Sequence, residues 1–219
     1  SIKATFYATH HSKLLEELKS SIDFEVGIHP YLGVNSTQGE NKLQILTNLN
    51  SIYNEAIGCR FHVLDFSYRD LLNLKNFKIK YDVSRINFNT PYLLPTYHKD
   101  LDLVLFTYSW EDGVSENQNL NQNINNIDLL SPGMKILNFH PMNIYINSPN
   151  AEFRKRFQSK NPKLLETDKN EIKGFINNGL GTKNILIELC EYIKKNNILT
   201  YTIKEYYSYF PKSIYYVYS

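Results

Sequence analysis

Several features that mark other protein classes are scarce in this 219-residue sequence. The two cysteines, Cys59 and Cys190, are too few and too far apart for a disulfide framework, a cysteine-rich zinc module or a CxxC motif. Lys and Arg number 24 against 22 Asp and Glu, so the net charge of +2 gives no electrostatic indication of nucleic-acid binding. The longest apolar runs, such as Leu103–Phe106, are far shorter than the ~20 residues that cross a bilayer. We therefore expect neither a nucleic-acid partner nor a membrane span.

The sequence does contain enough apolar residues for a folded core. Hydrophobic residues make up 42% and aromatic residues 14%, which excludes wholesale disorder. This length is common for one α/β domain and short for two, so we predict a single domain over residues 1–219. The sequence starts at Ser1 without a methionine, which indicates a missing N-terminus, and the lack of a visible export signal favours the cytoplasm. Nothing in the sequence indicates an oligomeric state.

Strand-like and helix-like segments alternate along the chain. β-branched and aromatic runs predict strands at Ile2–Thr9, Phe24–Ile28, Cys59–Val63, Ile79–Val83, Leu101–Tyr108 and Met134–His140. Apolar residues at helical spacing predict helices after Ser12, from Lys42 to about Ile57 with Gly58 as its stop, over Tyr68–Leu74 and over Thr182–Lys195. The polar stretch Ser148–Lys173 is predicted to be mobile. This order indicates an α/β domain with a mainly parallel sheet or barrel.

Three histidines stand where predicted strands end, which is where α/β proteins gather reactive side chains. His29 and His140 each close a strand and are followed by a proline that biases them toward extended geometry. His62 follows Arg60 by two positions. A lone histidine at a strand end is more often structural, but three of them with an arginine favour a site for a divalent metal or for proton transfer.

An acidic pair follows the only tryptophan in the segment Trp110–Asp112. These residues have two interpretations. The carboxylates could orient an arginine while the indole stacks on a sugar ring, or they could form a helix N-cap beside a partly buried tryptophan.

Taken in order, these segments resemble the polysaccharide deacetylases of the NodB-homology type (carbohydrate esterase family four), in particular their WbmS-like branch. The resemblance is carried by Ala4–Thr9, Phe24–Pro30, Arg60–His62, Tyr81–Ser84, Trp110–Asp112, Pro132–Pro141, Ile144–Asn147 and Gly179–Thr182. It covers the chain from Ile2 to about Tyr207. It implies a distorted (β/α)7 barrel of the NodB-homology type, here without its first strand.

The resemblance also implies a divalent metal at the carboxyl ends of the strands. His29 and His62 would be ligands, and zinc is the ion that best tolerates two imidazoles with added waters. The sequence departs from the family in two respects. The family's aspartate pair belongs to the first strand, which this chain lacks, and Gly33 stands where an H-x-x-x-H spacing from His29 would place a second histidine.

Catalytic roles follow from the same resemblance. His140 would protonate the leaving group, and Arg60 would orient a catalytic carboxylate while Asp112 or Glu111 holds the guanidinium. Trp110 would contact the substrate. We expect the rings of His29, His62 and His140 to face one mouth of the barrel.

The leading hypothesis is a metal-dependent deacetylase that removes acetyl groups from a bacterial surface polysaccharide or its precursor sugar. An acetylated carbohydrate would be its substrate. The alternative is a catalytically degenerate carbohydrate-binding relative on the same fold, motivated by the absent aspartate pair. A third hypothesis is an interaction protein that uses the tyrosine-rich tail Tyr206–Tyr218.

Overall fold

A computed structural model describes residues 1–118, 120, 123–162, 164 and 167–210. The strands of these residues are β1 (Ala4–Ala8), β2 (Phe24–Ile28), β3 (Gly58–Cys59), β4 (Tyr81–Ile86), β5 (Thr96–His98), β6 (Leu103–Tyr108), β7 (Trp110–Glu111) and β8 (Leu137–Asn138). The helices are α1 (Lys13–Leu18), α2 (Lys42–Ile52), α3 (Tyr68–Asn73), α4 (Asp112–Asn117), α5 (Pro141–Tyr145), α6 (Ala151–Lys160), α7 (Lys169–Gly174), α8 (Thr182–Lys195) and α9 (Ile203–Tyr209). None of the described helices combines the length and apolarity needed to cross a membrane.

The strands confirm the predicted α/β class but not a closed barrel. Six of them form one sheet in the order β1-β2-β3-β4-β6-β5, with β1 to β4 parallel and β5 antiparallel to β6. The strands β7 and β8 form a separate parallel pair. Within the described part of the chain the six-stranded sheet is open, so the (β/α)7 barrel stays a prediction.

The chain divides into two compact units. Unit 1 comprises residues 1–85, residues 94–107 and the described residues from Leu199 onward, and unit 2 comprises residues 86–93 and 108–198.

Unit 1 is built around the six-stranded sheet. Its core joins inward-facing strand residues such as Ile28 and Leu103 to the apolar face of α2, including Leu46 and Leu49. Short helices are fixed by side-chain caps. Ser67 and Asp70 form a reciprocal capping box at the start of α3, because each side chain accepts the other residue's backbone N–H.

Unit 2 contains the pair β7–β8 and the helices α4 to α8. Trp110, Ile127 and Ile185 are the buried centre of an apolar cluster. The side-chain amide of Asn147 donates to the carbonyls of Asn177 and Gly179 and to the side chain of Asn184. These bonds join the two late motifs, Ile144–Asn147 and Gly179–Thr182, at the start of α8.

Several boundaries differ from the sequence predictions. The helix α2 ends at Ile52, because Tyr53 leaves the helical conformation and is fully buried, with its hydroxyl donating to the His10 carbonyl. Gly58 therefore does not stop that helix; it lies in β3, where any side chain would collide with the Tyr81 ring. The stretch 148–173 contains α6 and the start of α7. Of the tyrosine-rich tail, residues 211–218 lie outside the described residues.

Candidate functional site

His29 lies directly after β2 and is held on both its main chain and its ring. Its backbone N–H donates to the Ala8 carbonyl at 2.8 Å, which continues the β1–β2 ladder, and the residue is 8% exposed. The ring atom Nδ1 contacts the main-chain carbonyl of Arg60. Because a carbonyl oxygen only accepts, Nδ1 carries the proton, and the lone pair of the ring is therefore at Nε2.

His62 lies where that lone pair points. Its Nδ1 is 3.0 Å from the Nε2 of His29, and the two rings meet edge to face with centroids 4.9 Å apart. Three backbone N–H groups hold the segment that carries His62. Arg60 N–H donates to the Ile28 carbonyl at 3.0 Å and His62 N–H to the Pro30 carbonyl at 2.9 Å. Phe61 N–H donates to the Ser84 hydroxyl at 2.7 Å.

The backbone directly after His62 is strained. Val63 has φ 50° and Leu64 φ 56°, both in the left-handed region that β-branched and bulky residues avoid. Such strain costs on the order of 1–3 kcal/mol and persists only where the surrounding contacts impose it.

The two imidazoles fit part of a zinc site. Nitrogens that share a tetrahedral zinc at ~2.0–2.1 Å lie about 3.3 Å apart, close to the 3.0 Å between His29 Nε2 and His62 Nδ1. Metal-binding histidines commonly donate their other ring N–H to a carbonyl, as His29 does to Arg60. No group of three or more His, Cys, Asp or Glu side chains with metal-binding geometry occurs among the described residues, so the donor set found there is the histidine pair.

A buried polar pair supports this segment from β4. Asp82 is fully buried and accepts from the Ser84 hydroxyl at 2.6 Å, while the same hydroxyl accepts from the Phe61 N–H. Burial raises the pKa of Asp82 from 3.8 to about 6, against the opposing effects of Ser84 and of the positive charges of Arg85 and Arg60. Asp82 therefore stabilises the His62 segment through Ser84, a function that sequence analysis did not assign to it.

One residue of the acidic pair, Asp112, binds His140 in unit 2. Asp112 is fully buried, and its Oδ1 lies 2.5 Å from His140 Nδ1 while its Oδ2 accepts the His140 backbone N–H at 2.8 Å. Glu111 accepts from the Asn138 side chain at 3.0 Å across the β7–β8 pair. His140 has the extended backbone expected before Pro141 and stands at the start of α5.

This contact determines which proton His140 can transfer. The carboxylate fixes Nδ1–H toward Asp112, so the ring presents Nε2 as the atom that gives or takes a proton. The side chain of His140 is 37% exposed. The role expected for Arg60, and the holding of its guanidinium by Asp112 or Glu111, stay predictions.

Trp110 corrects one of the sequence expectations. The indole is 1% exposed and lies in the apolar cluster of unit 2, with its ring centroid 5.0 Å from that of Phe139. A ring buried to this extent offers no face to a sugar. Core packing therefore replaces substrate binding as the role of Trp110.

A cavity of about 220 Å³ opens beside His62 in unit 1. Its other lining residues are Thr9 and His10, which follow β1, and four residues of the loop between β2 and α2: Tyr31, Ser36, Thr37 and Gln38. No function could be assigned to these loop residues from the sequence, because single Thr, Tyr and Gln residues in a loop carry no local signal.

Comparisons with known proteins agree with this architecture. A family model described as WbmS-like polysaccharide deacetylase matches residues 1–158. No curated protein sequence matches the chain. A crystal structure from Bordetella bronchiseptica, described as a polysaccharide deacetylase involved in O-antigen biosynthesis, matches with a TM-score of 0.70 and 22% identity, over 86% of this chain and 78% of that chain. At that level of identity the similarity shows a shared fold.

Proposed function

Because the chain belongs to the WbmS-like polysaccharide deacetylase family, we propose that it is a metal-dependent deacetylase that removes acetyl groups from a bacterial surface polysaccharide or its precursor sugar. The structural neighbour from Bordetella, described as acting in O-antigen biosynthesis, supports this class of substrate. The bacterial cytoplasm is the proposed location, where a precursor sugar would be available.

The observation that carries the proposal is the histidine pair. His29 Nε2 and His62 Nδ1 lie 3.0 Å apart, and the Arg60 carbonyl fixes the tautomer of His29 whose Nε2 accepts the His62 Nδ1–H, a hydrogen bond that a bound cation would replace. We assign the two rings as ligands of a divalent metal, with zinc as the preferred ion. Bound there, the metal would supply Lewis-acid polarisation of the acetyl carbonyl.

His140 is the proposed proton donor to the leaving nitrogen or oxygen. Proton transfer would occur at Nε2, because Nδ1 is committed to Asp112 at 2.5 Å. The buried carboxylate stabilises the imidazolium form and holds the ring in one orientation. Asp112 is thus a positioning residue, and Glu111 stabilises the same strand pair through Asn138.

A second function is favoured by the donor set of the described residues. Two imidazoles without a carboxylate are a weak site for a divalent ion, and a relative that binds acetylated carbohydrate without hydrolysing it would need no stronger one. The two functions differ in one measurable product, which is free acetate.

The test is metal binding and acetate release by the full chain. Calorimetric titration with Zn²⁺ should detect one site that is lost in His29→Ala and in His62→Ala, whereas His11→Ala, at an exposed histidine, keeps it. Acetylated hexosamine oligosaccharides, N-acetylated and O-acetylated, should release acetate with Zn²⁺ and not after EDTA treatment. Carbohydrate binding that persists in EDTA without acetate release would instead establish that the protein binds acetylated carbohydrate without hydrolysing it.

A further inference from the structure

The cavity beside His62 lies where α/β proteins commonly bind ligands. Thr9 and His10 follow β1, the loop from Tyr31 to Gln38 follows β2, and His62 follows β3. The three strands are parallel, so these segments leave the sheet at the same edge. The side chain of His62 belongs both to the histidine pair and to the lining of the cavity.

An aromatic wall stands on one side of the cavity. The ring of Tyr31 meets the ring of His62 edge to face, with centroids 5.4 Å apart. Gly33 makes this arrangement possible, since a Cβ at position 33 would lie 2.6 Å from both Cζ and the hydroxyl oxygen of Tyr31. Position 33, where the family's H-x-x-x-H spacing would place a second histidine, is thus occupied by a residue that makes room for the tyrosine ring.

Polar groups also line the cavity. The ring of His10 bridges two hydroxyls, with Nδ1 3.1 Å from Thr9 Oγ1 and Nε2 2.9 Å from Thr37 Oγ1. Gln38 holds the loop in place, because its side chain accepts a hydrogen bond from the Tyr31 N–H and donates one to the Thr9 carbonyl. An apolar ring face and several hydroxyl or imidazole groups are what a pyranose requires.

The cavity is small for a ligand site. Its volume of about 220 Å³ is below the range of ~300–1,000 Å³ typical of drug-sized ligand sites. We propose that it takes the acetylated pyranose ring of a terminal or monomeric sugar unit rather than one in the interior of a polysaccharide. Tyr31 and Thr37 are the specificity-determining residues, and the inference rests on the proposed deacetylase function.

The test compares monomeric and polymeric probes on the full chain with Zn²⁺. The probes are the methyl glycosides of N-acetylglucosamine and N-acetylgalactosamine and the tetramer of N-acetylglucosamine. At least one methyl glycoside should bind in NMR titrations, and any tetramer product should have lost one acetyl group at a chain end, as fragment mass spectrometry reports. A tetramer deacetylated at internal residues, or the failure of both methyl glycosides to bind, would overturn the inference.

Variants of the cavity residues test sugar binding separately from deacetylation. Tyr31→Ala and Thr37→Val should each raise the dissociation constant of the bound methyl glycoside about tenfold, the effect of a lost ring contact or hydrogen bond. Tyr31→Phe keeps the ring and should stay within about threefold. Thr47→Val, at an exposed threonine of α2, is the matched control.

The two proposals can fail independently. Sugar binding that is weakened by Tyr31→Ala and Thr37→Val, without acetate release from any probe, would uphold the pocket and reject the deacetylase. Acetate release with a KM that both variants leave unchanged would reject the pocket and uphold the deacetylase.

Discussion

The side-chain amide of Gln38 donates a hydrogen bond to the main-chain carbonyl of His29, with the two atoms 3.0 Å apart. The same amide donates to the Thr9 carbonyl at 2.9 Å and its oxygen accepts the Tyr31 N–H at 2.6 Å. Gln38 is 7% exposed, so these bonds form away from water. One side chain therefore ties together the ends of β1 and β2 and the loop that lines the cavity.

Replacing Gln38 by Glu tests this connection with almost no change in shape. The carboxylate loses both donors and would face the carbonyls of Thr9 and His29, leaving buried acceptors unpaired at about 1–3 kcal/mol each. We expect the free energy of unfolding, measured in urea, to fall by about 2–6 kcal/mol, and zinc affinity to fall with it because His29 loses its anchor. Gln158→Glu, at an exposed position of α6, should change neither quantity. An unaltered zinc affinity would show that Gln38 does not position the histidine.

The parts of the fold that sequence predicted are those with strong local patterns. The strand β2 and the helix α8 have an apolar run and a 3.6-residue periodicity respectively, and the structure has them at Phe24–Ile28 and Thr182–Lys195. The end of α2 could not be predicted, because it is set by the burial of Tyr53 against distant residues. The two-residue strands β7 and β8 exist only through their mutual pairing, which no local pattern encodes.

The candidate site could likewise be predicted only in part from the sequence. Histidines at strand ends identified His29 and His62, since parallel strands bring their carboxyl ends to one edge. The contributions of Gln38 and Asp82 depend on hydrogen bonds to main-chain groups far away in sequence, so nothing near them indicated a role. Burial excludes Trp110 from contact with a sugar, whereas the orientation of an arginine by Glu111 or Asp112 stays a prediction.

Leaving-group dependence tests the role of His140. A general acid contributes about 10²–10⁴-fold when the leaving group is a basic amine. We expect His140→Gln to lower kcat on an N-acetylated sugar by that amount and to change kcat on 4-nitrophenyl acetate by less than about threefold, because nitrophenolate leaves without a proton. His11→Gln is the control at an exposed histidine. Equal losses on both substrates would remove His140 from proton donation.

Close backbone packing at the start of α8 gives a stability prediction. A Cβ on Gly181 would collide with the carbonyl of Asn147, which lies against it in the structure. Gly181→Ala should therefore lower the free energy of unfolding by about 1–3 kcal/mol. Gly174→Ala is the matched control, because a Cβ there meets nothing within 4 Å. Similar unfolding midpoints for the two variants would contradict the close contact with Asn147.

The raised pKa of Asp82 predicts that its contribution to the free energy of unfolding falls as the pH rises. Burial raises its pKa from 3.8 to about 6, so between these values the folded chain holds a proton that the unfolded chain has released. Stability from this group is therefore fully present below pH 3.8 and is lost as the pH rises through 6. A shift of this size corresponds to up to about 3 kcal/mol.

Urea unfolding of the wild type and of Asp82→Asn, at intervals from pH 4 to pH 7.5, measures this contribution. The asparagine stays neutral and still faces Ser84 and the charges of Arg60 and Arg85, so the stability of the wild type relative to the variant should fall by up to about 3 kcal/mol across the range. Asp100→Asn, at an exposed aspartate, should give a curve parallel to that of the wild type. A pH-independent difference between the wild type and Asp82→Asn would mean that Asp82 is ionised in the folded chain throughout, and that Arg60 and Arg85 compensate for its burial.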